Sequence, residues 1–441
     1  MKKSSKLLSV SLVTTLIAGM MAIPAAAAGS NYTAVNAQNT SFDKYLLVEK
    51  DEKAPGLTFT YDFAAGTAIA PTATTLQVYP GVITGGKPSA TVSFSDSDAA
   101  EGTSLNANYT TYKKTVNVDF SGITFSEPGV YRYIITEDNN AGAGVFYDVD
   151  PTDPTDATAY GDRTRTLDVY VEDDESTAAK DLIVTSYVMY DGTVTTAPPS
   201  SSSASQGTAL TAATPVVSPA TPTNGQEVSG ETKTDRIVNY FKSYSITFGK
   251  EVTGNQGSKD KYFAFTLKLT SPVAGIATVD LSLADTAAGT NDATTVSGSN
   301  ATSITFTANT EVSTVFYLQD GQYITVTGLP EGTKYELSEE AEGYTSTEGI
   351  TAANSSLDWD GDTTNGNDAL ADPVSNTTGI TADVRTGFTN DKQGIIPTGV
   401  LVKAAPVIGI GLVVIAGVIF FAVISMRNKD QEDLETETAE K

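Results

Sequence analysis

The sequence predicts an all-β protein built of antiparallel β-sandwiches. Short runs rich in Val, Ile, Thr, Tyr and Phe alternate between apolar and polar residues, and clusters of Gly, Asn, Asp and Pro separate them. Such runs are LTFTYDF (57–63), GVYRYIITE (129–137), RTLDVYVED (165–173), DLIVTSYVMY (181–190), KYFAFTLKL (261–269) and QYITVTGL (322–329). Helical periodicity is almost absent between the two apolar ends of the chain, and 441 residues suffice for two or three domains.

Composition excludes several classes of function. The chain has 27 Lys and Arg against 53 Asp and Glu, a formal net charge of −26, so a nucleic-acid partner is not expected. It contains no His and no Cys, which excludes cysteine nucleophiles, thiolate or imidazole metal sites and Ser-His-Asp triads. We therefore expect no cofactor, no metal and no enzyme with multiple turnover.

Both ends of the chain carry apolar segments. Residues 1–28 join a basic start, a short apolar run and an Ala-rich site, which predicts a signal peptide cleaved near Ala28 and hence export. Residues 404–425 are long enough to cross a bilayer, and Arg427 and Lys429 follow them as a basic flank. The remaining residues, 426–441, form a short acidic cytoplasmic tail in this interpretation.

Polar residues occur on the apolar faces of three predicted strands of the first half. Side chains at i, i+2 and i+4 of a strand share one face. Lys44 alternates with Phe, Leu and Val in SFDKYLLV, and Glu137 with Tyr and Ile in VYRYIITE. Asn239 alternates with Ile and Phe in RIVNYF. All three side chains are therefore predicted to point inward.

The second half repeats the same order of residue types. Lys250 alternates with Ile, Phe and Val in SITFGKEV, and Glu339 with Tyr and Leu in KYELSEE. Asn390 alternates with Val and Phe in DVRTGFTN. A buried Lys, Glu and Asn are costly unless they satisfy one another, so two ordered triplets indicate two polar clusters inside the sandwiches.

Burial can make such a cluster chemically reactive. Desolvation lowers the pKa of an amine and raises that of a carboxylic acid, so the pair can exist as neutral amine and neutral acid. A neutral amine is a nucleophile, and the acid can donate a hydrogen bond to the amide carbonyl and transfer protons. Attack of the lysine on the asparagine, with loss of ammonia, would form an intramolecular isopeptide bond.

Several segments resemble the backbone pilins of Gram-positive bacteria, in the streptococcal isopeptide-linkage family of the T-antigen type. These are FDKYLLVEKDEKAPGLTFTYDF, FSEPGVYRYIITED, FGKEVTGNQGSKDKYFAFTLKL, YELSEE and FTNDKQGIIPTGV. The resemblance implies two tandem immunoglobulin-like (CnaB-like) β-sandwich domains, each with a Lys–Asn isopeptide bond beside a catalytic Glu. The implied bonds are Lys44–Asn239 with Glu137 and Lys250–Asn390 with Glu339. Asp138, Glu336 and Glu340 remain alternatives for the acid, although alternation argues against them.

The same assignment sets the domain boundaries. If Asn239 lies on the last strand of the first domain, that domain spans 41–241 and the second spans 242–392. The Ser/Thr/Pro-rich segment 195–231 is then an insertion before that last strand. The fold can tolerate such an insertion because the entropy cost of closing a loop grows only logarithmically with its length.

The resemblance also implies a function for IIPTG at 395–399. Sortases recognise LPxTG-like motifs followed by an apolar segment and a basic tail, and Ile395, Ile396, Pro397, Thr398 and Gly399 form such a variant. A sortase would cleave between Thr398 and Gly399, and a lysine of another subunit would then attack the thioester. The span would be a temporary tether in the plasma membrane.

The implied partners follow from this assembly. They are pilin-type and housekeeping sortases, other copies of the chain, ancillary pilins, peptidoglycan of the Gram-positive cell wall and, in some cases, host surface ligands. The candidate acceptor is Lys233, with Lys180 as runner-up. The alternative function is a wall-anchored adhesin or ancillary pilin that is not polymerised. The acidic loop 358–368 resembles a calcium loop, but its glycine and final acid are misplaced.

Overall fold

The computed structural model describes residues 32–176, 181–198, 234, 236–283, 301–351, 369–394, 418 and 420. The fold within these residues is all-β, as predicted. Its strands form two groups that follow one another in the chain, and we call them the N-terminal and the C-terminal sandwich.

The N-terminal sandwich comprises the strands up to Phe241. They are β1 (Val35–Asn36), β2 (Thr40–Glu49), β3 (Thr58–Ala65), β4 (Val78–Pro80), β5 (Ala90–Ser93), β6 (Tyr109–Val118), β7 (Thr124–Phe125), β8 (Gly129–Glu137), β9 (Val145–Phe146), β10 (Thr164–Asp173), β11 (Leu182–Asp191) and β12 (Arg236–Phe241), with a short 3₁₀ helix at Ala157–Ala159. One sheet has the order β11-β10-β8-β3-β5, with β4 beside β8, and the other has the order β6-β2-β12-β9. β1 and β7 pair separately.

The C-terminal sandwich repeats this two-sheet arrangement. Its strands are β13 (Ser243–Thr253), β14 (Phe263–Thr270), β15 (Gly275–Leu283), β16 (Ser303–Phe306), β17 (Glu311–Leu318), β18 (Gln322–Pro330), β19 (Lys334–Glu339), β20 (Thr345–Glu348), β21 (Ser375–Asn376) and β22 (Val384–Asp391). One sheet has the order β16-β15-β18-β13-β22-β20, and the other has the order β17-β14-β19-β21.

Each sandwich packs the apolar faces of its two sheets against each other. β-branched and aromatic side chains fit such half-buried pleated surfaces, and the regular alternation of β14 buries every second residue. The N-terminal core joins Leu46 of one sheet to Phe59 and Ile135 of the other. The C-terminal core likewise joins Phe248 to Phe265. Any polar side chain on these faces is therefore taken out of water.

The first long strand and the last strand of each sandwich are parallel neighbours. β12 pairs with β2, and β22 pairs with β13, whereas most other ladders are antiparallel. Parallel neighbours cannot be joined by a tight turn, so here nearly the whole sandwich serves as the connection between them. The arrangement brings residues that are far apart in sequence side by side.

The two sandwiches meet through a short junction. Only Lys242 separates β12 from β13. The N–H of Gly56 donates to the carbonyl of Ala274 at 2.8 Å, and Val273 belongs to the core of the N-terminal sandwich. The hydroxyl of Ser243 donates to Glu52 at 2.6 Å. The junction is therefore packed as well as short.

Candidate cross-linking sites

Lys44 and Asn239 lie on neighbouring parallel strands. Lys44 of β2 is paired with Ile237 of β12, and Asn239 follows two residues later, on the same face. Both side chains are completely buried. The lysine and the asparagine are therefore diagonal neighbours on the inner face of one sheet.

Lys250 and Asn390 have the same relationship in the C-terminal sandwich. Lys250 of β13 is paired with Phe388 of β22, and Asn390 again follows two residues later. These side chains are also completely buried. Two sandwiches of different sequence thus share one parallel strand pairing and one register at this point.

Glu137 reaches the first pair from the facing sheet. It is the last residue of β8, and its Oε1 lies 2.6 Å from Lys44 Nζ, with both side chains fully buried. The hydroxyl of Tyr61 donates to the same oxygen at 3.2 Å. Lys44 Nζ also lies 4.7 Å from the centre of the Phe59 ring, so the ion pair sits in an apolar and aromatic environment.

Glu339 occupies the equivalent place in the second site. Its Oε1 lies 2.8 Å from Lys250 Nζ and accepts a hydrogen bond from Asn390 Nδ2 at 3.0 Å. Lys250 Nζ also donates to the carbonyl of Phe388 at 3.3 Å and lies 4.6 Å from the centre of the Phe263 ring. Amine, acid and carboxamide are therefore connected through one carboxylate oxygen.

Burial shifts both amines towards their neutral form. Desolvation lowers the pKa of Lys44 from 10.5 to about 8, although the Glu137 carboxylate opposes the shift. It lowers the pKa of Lys250 to about 8 as well, with Glu339 opposing it. Such an amine is about one tenth deprotonated at pH 7, far more than a solvent-exposed lysine. Each site thus combines a usable nucleophile with a proton carrier.

Several polar atoms of the two sites have no hydrogen-bond partner within the described part of the chain. They include Oε2 of Glu137, Nδ2 of Asn239 and Oδ1 of Asn390. Buried polar groups are rarely left unpaired, and such exceptions are often functional. A reaction that removes the amide NH2 group would abolish the unpaired donor at Asn239.

The alternative acids lie outside both clusters. Asp138 accepts a hydrogen bond from the Thr60 hydroxyl at 2.6 Å. Glu336 is exposed and 3.3 Å from Lys268, and Glu340 is exposed as well. Each lies an odd number of residues from the predicted acid, so alternation places its side chain on the other face.

The structure adds a second buried ion pair at the first site. Arg165 contacts Asp148, with 2.5 Å between Arg165 Nη2 and Asp148 Oδ1, and the N–H of Asp148 donates to Asn239 Oδ1 at 2.9 Å. Neither residue was predicted from the sequence. Arg165 shares a face with Leu167 and Val169, so alternation could have revealed it. Asp148 lies in a loop after β9, where no periodicity indicates a role.

Other predicted features lie outside the described residues. They are the signal peptide 1–28, Lys180, Lys233, the IIPTG motif at 395–399, the acidic loop 358–368, the tail 426–441 and most of the predicted span 404–425. The insertion 195–231 is described only at 195–198. Within the described ranges, no helix is long and apolar enough to cross a membrane, and no group of three metal-binding side chains occurs.

Two domain families match the chain. Residues 82–203 match the family FctA, a Spy0128-like isopeptide containing domain, and this range includes Glu137. Residues 244–392 match DUF7601, a domain of unknown function, and this range includes Lys250, Glu339 and Asn390.

Known proteins are similar to larger parts of the chain. A curated protein named "Pilin" from Streptococcus pyogenes serotype M1 is 25% identical over 312 residues, which cover 70% of this chain and 71% of that protein. The crystal structure of the major pilin from Streptococcus pyogenes aligns with 82% of this chain and 100% of its own, at 21% identity and a TM-score of 0.47. The T-13 major pilin of the same species aligns with 81% of this chain and 98% of its own, at 22% identity and a TM-score of 0.44.

The matched isopeptide domain and the curated relative show that parts of this chain are similar to pilins of Gram-positive bacteria. They confirm the resemblance seen in the sequence.

Proposed function

We propose that the chain is the structural backbone subunit of a covalently polymerised surface pilus. Autocatalytic Lys44–Asn239 and Lys250–Asn390 isopeptide bonds stabilise its two sandwiches, and sortases assemble it and anchor it to the cell wall. The self-modification occurs once per site, so the protein is not an enzyme that turns over.

The observation that carries this proposal is the repeated geometry of the two clusters. Both sandwiches combine a buried lysine, a carboxylate within 2.8 Å of its Nζ and an asparagine placed diagonally on the parallel neighbour. Burial of charge by chance would not be expected to recur with the same register. Burying any one of these groups without a partner costs several kcal/mol of free energy.

The reaction uses only the groups of each site. A proton moves from the lysine Nζ to the glutamate, and the neutral amine attacks the asparagine Cγ. Glu137 or Glu339 then gives this proton to the amide nitrogen, takes the second proton from the attacking Nζ and passes it to the departing group, so the Cγ–Nδ2 bond breaks and ammonia leaves as ammonium. The product is a secondary amide between the two strands, and the glutamate returns to its initial state.

A bond in this place would suit a shaft under tension. It would join the first long strand of each sandwich directly to the last, so force applied at the chain ends would bypass much of the sheet. Each bond would also constrain the unfolded chain by about 5 kcal/mol, if the loop-entropy relation for disulfides applies to loops of more than 100 residues. No reducing agent would break it.

Assembly by sortase rests on the sequence alone. Pro397, Thr398 and Gly399 precede an apolar segment and a basic flank, so Thr398 would be the residue transferred. Lys233 is the proposed acceptor in the next subunit, with Lys180 as the second candidate. The cell wall and the surface pilus are the proposed location, reached by export and a transient membrane anchor.

The polymer is tested in a Gram-positive host that expresses the full chain with a pilin-type sortase. We expect a ladder of high-mass species that survives boiling in SDS and disappears when the sortase is deleted or Thr398 is changed to Ala. Lys233→Ala should abolish the ladder and Lys180→Ala should leave it. A wall-attached monomer without a ladder would contradict the backbone role and favour an ancillary pilin or adhesin.

A further inference from the structure

The carboxamide oxygen of Asn239 accepts a hydrogen bond from the main chain of a loop. The N–H of Asp148 lies 2.9 Å from Asn239 Oδ1, and both residues are buried. Because a main-chain N–H can only donate, the atom facing it is the oxygen and not Nδ2. In the second site, Oδ1 of Asn390 is buried without a hydrogen-bond partner among the described residues. Among the described residues, the first site thus has a donor to this oxygen and the second site has none.

Asp148 is held firmly in this position. Its φ of 51° is in the left-handed region, which residues other than glycine seldom adopt. Arg165 Nη1 and Nη2 lie 3.0 and 2.5 Å from the two carboxylate oxygens of Asp148, and the guanidinium is almost fully buried. The N–H of Gly161 donates to the carbonyl of Asp148 at 2.7 Å. A Cβ on Gly161 would lie 1.9 Å from Asp148 Oδ2, so this contact requires glycine.

The neighbouring residue attaches the same loop to the reacting strand. The N–H of Val149 donates to the carbonyl of Val238 at 2.9 Å, one residue before Asn239 on β12. The donor at Asp148 and its acceptor at Asn239 therefore belong to one hydrogen-bonded unit, and their separation is fixed before any reaction occurs.

We propose that the main-chain N–H of Asp148 is the oxyanion donor for isopeptide formation at the first site, and that Arg165 is the positioning residue that aims it. This inference rests on the proposed function and assigns it a group beyond the lysine, glutamate and asparagine. It also implies that the two sandwiches form their bonds by different means of stabilising the transition state.

Such a donor would lower the barrier to the reaction at the first site. When Lys44 Nζ attacks Asn239 Cγ, the C=O bond becomes single and negative charge develops on Oδ1. The Asp148 N–H already lies within the 2.7–3.1 Å range in which a donor stabilises that charge. Glu137 carries the proton from Nζ to Nδ2, the Cγ–Nδ2 bond breaks, ammonia leaves and the carbonyl re-forms. The Asp148 N–H remains bonded throughout.

The test replaces the donor atom itself. The protein, without the signal peptide and the residues after Thr398, is made by cell-free translation with malic acid, the α-hydroxy analogue of aspartate, at position 148. This turns the N–H into an ester oxygen and keeps the side chain. The matched control is the α-hydroxy analogue of valine at 149, which removes the adjacent hydrogen bond to Val238. After refolding, peptide mass spectrometry follows the Lys44–Asn239 and Lys250–Asn390 cross-links over time.

The expected outcome is specific to one site and one atom. The ester at 148 should slow formation of the Lys44–Asn239 bond by about 10²–10³-fold, the effect of removing one oxyanion donor. The Lys250–Asn390 bond in the same molecules should form at its usual rate, and the ester at 149 should slow the first bond by only a few fold. Equal rates for the two esters would overturn the inference. Absence of both cross-links from the unmodified chain would overturn the proposed function as well.

The role of Arg165 is tested by rescue. Arg165→Met leaves the Asp148 carboxylate unpaired, so we expect a slower Lys44–Asn239 reaction and an unchanged second site. The double variant Arg165→Met, Asp148→Gly removes that carboxylate, keeps the N–H and places glycine where φ is positive. It should recover most of the rate. No recovery in a folded double variant would show that Arg165 does not act through Asp148.

Discussion

Lys44 and Asn239 are diagonal neighbours on two parallel strands, although 195 positions separate them in the chain. Lys250 and Asn390 have the same relationship in the second sandwich. Because a lysine side chain reaches along the strand direction, a diagonal partner two residues away is within its reach on a shared face. The register therefore decides which amide each amine can meet.

The first prediction concerns mass. The recombinant chain without its two apolar ends should be lighter than its sequence by two ammonia molecules. Glu137→Ala and Glu339→Ala should each restore one, since each glutamate serves only its own amine. Intact-mass measurement gives the number of ammonia molecules lost, and peptide mapping identifies the cross-linked residues.

The matched control for this experiment is Glu336→Ala. Glu336 is three residues before Glu339 but exposed, so its removal should leave both losses of ammonia in place. A full-mass wild-type chain, or a Glu137→Ala chain that still lacks two ammonia molecules, would refute the assignment.

The second prediction concerns stability. Asn239→Ala and Lys44→Met would each prevent the proposed Lys44–Asn239 bond, so each should lower the free energy of unfolding of the N-terminal sandwich by about 5 kcal/mol. A sandwich of this size should then melt about 10–20 °C lower. Calorimetry would measure the melting transitions of the two sandwiches separately.

The C-terminal sandwich provides the internal control, because neither variant changes the residues of its own proposed cross-link. Its transition should shift little. Unchanged melting of the N-terminal sandwich, in a variant shown by mass to lack the bond, would contradict the predicted stabilisation.

The third prediction uses the lowered pKa of Lys44. In Asn239→Ala the amine stays unreacted, with a pKa of about 8 when folded and about 10.5 when unfolded. Between these values the unfolded state binds more protons, so the free energy of unfolding should rise as pH increases from 8 to 10.5. The double variant Lys44→Met, Asn239→Ala should lack this rise. Identical pH profiles for the two variants would mean that the amine is not desolvated.

The fourth prediction concerns Glu52 at the junction of the sandwiches. Burial raises its pKa from 4.5 to about 7, and the hydrogen bond from Ser243 only partly opposes this shift. The folded state therefore binds the extra proton between pH 4.5 and 7, and its stabilising contribution is lost as pH rises through about 7.

Glu52→Gln should be more stable than the parent above pH 7 and should lose less stability between pH 5 and 7. Chemical denaturation at several pH values measures both. Glu101→Gln, a change of an exposed glutamate, is the control and should reproduce the parent profile. A Glu52→Gln profile parallel to that of the parent would contradict the shifted pKa.

Strand alternation explains how much of the fold and site the sequence could predict. An apolar face identifies inward residues whatever the topology, so Lys44, Glu137 and Asn239 could be recognised as buried polar groups without a structure. The same rule applies to Arg165, which shares its face with Leu167 and was overlooked. The all-β class follows from the same pattern.

Pairing between distant segments could not be predicted in this way. Alternation does not reveal that β12 lies parallel to β2, nor that Ile237 faces Lys44, because register depends on both strands and on the connections between them. The contribution of Asp148 is still less accessible, since it acts through its main chain in a loop and any residue type supplies an N–H.

The one-residue joint between β12 and β13 has a further consequence for a filament. The single residue Lys242 limits rotation between the two sandwiches, and the Gly56–Ala274 and Glu52–Ser243 hydrogen bonds also connect them. Each copy of the chain should therefore bend as one stiff unit, with little independent movement of its two sandwiches. Compliance in an assembled fibre would then arise mainly where one copy meets the next.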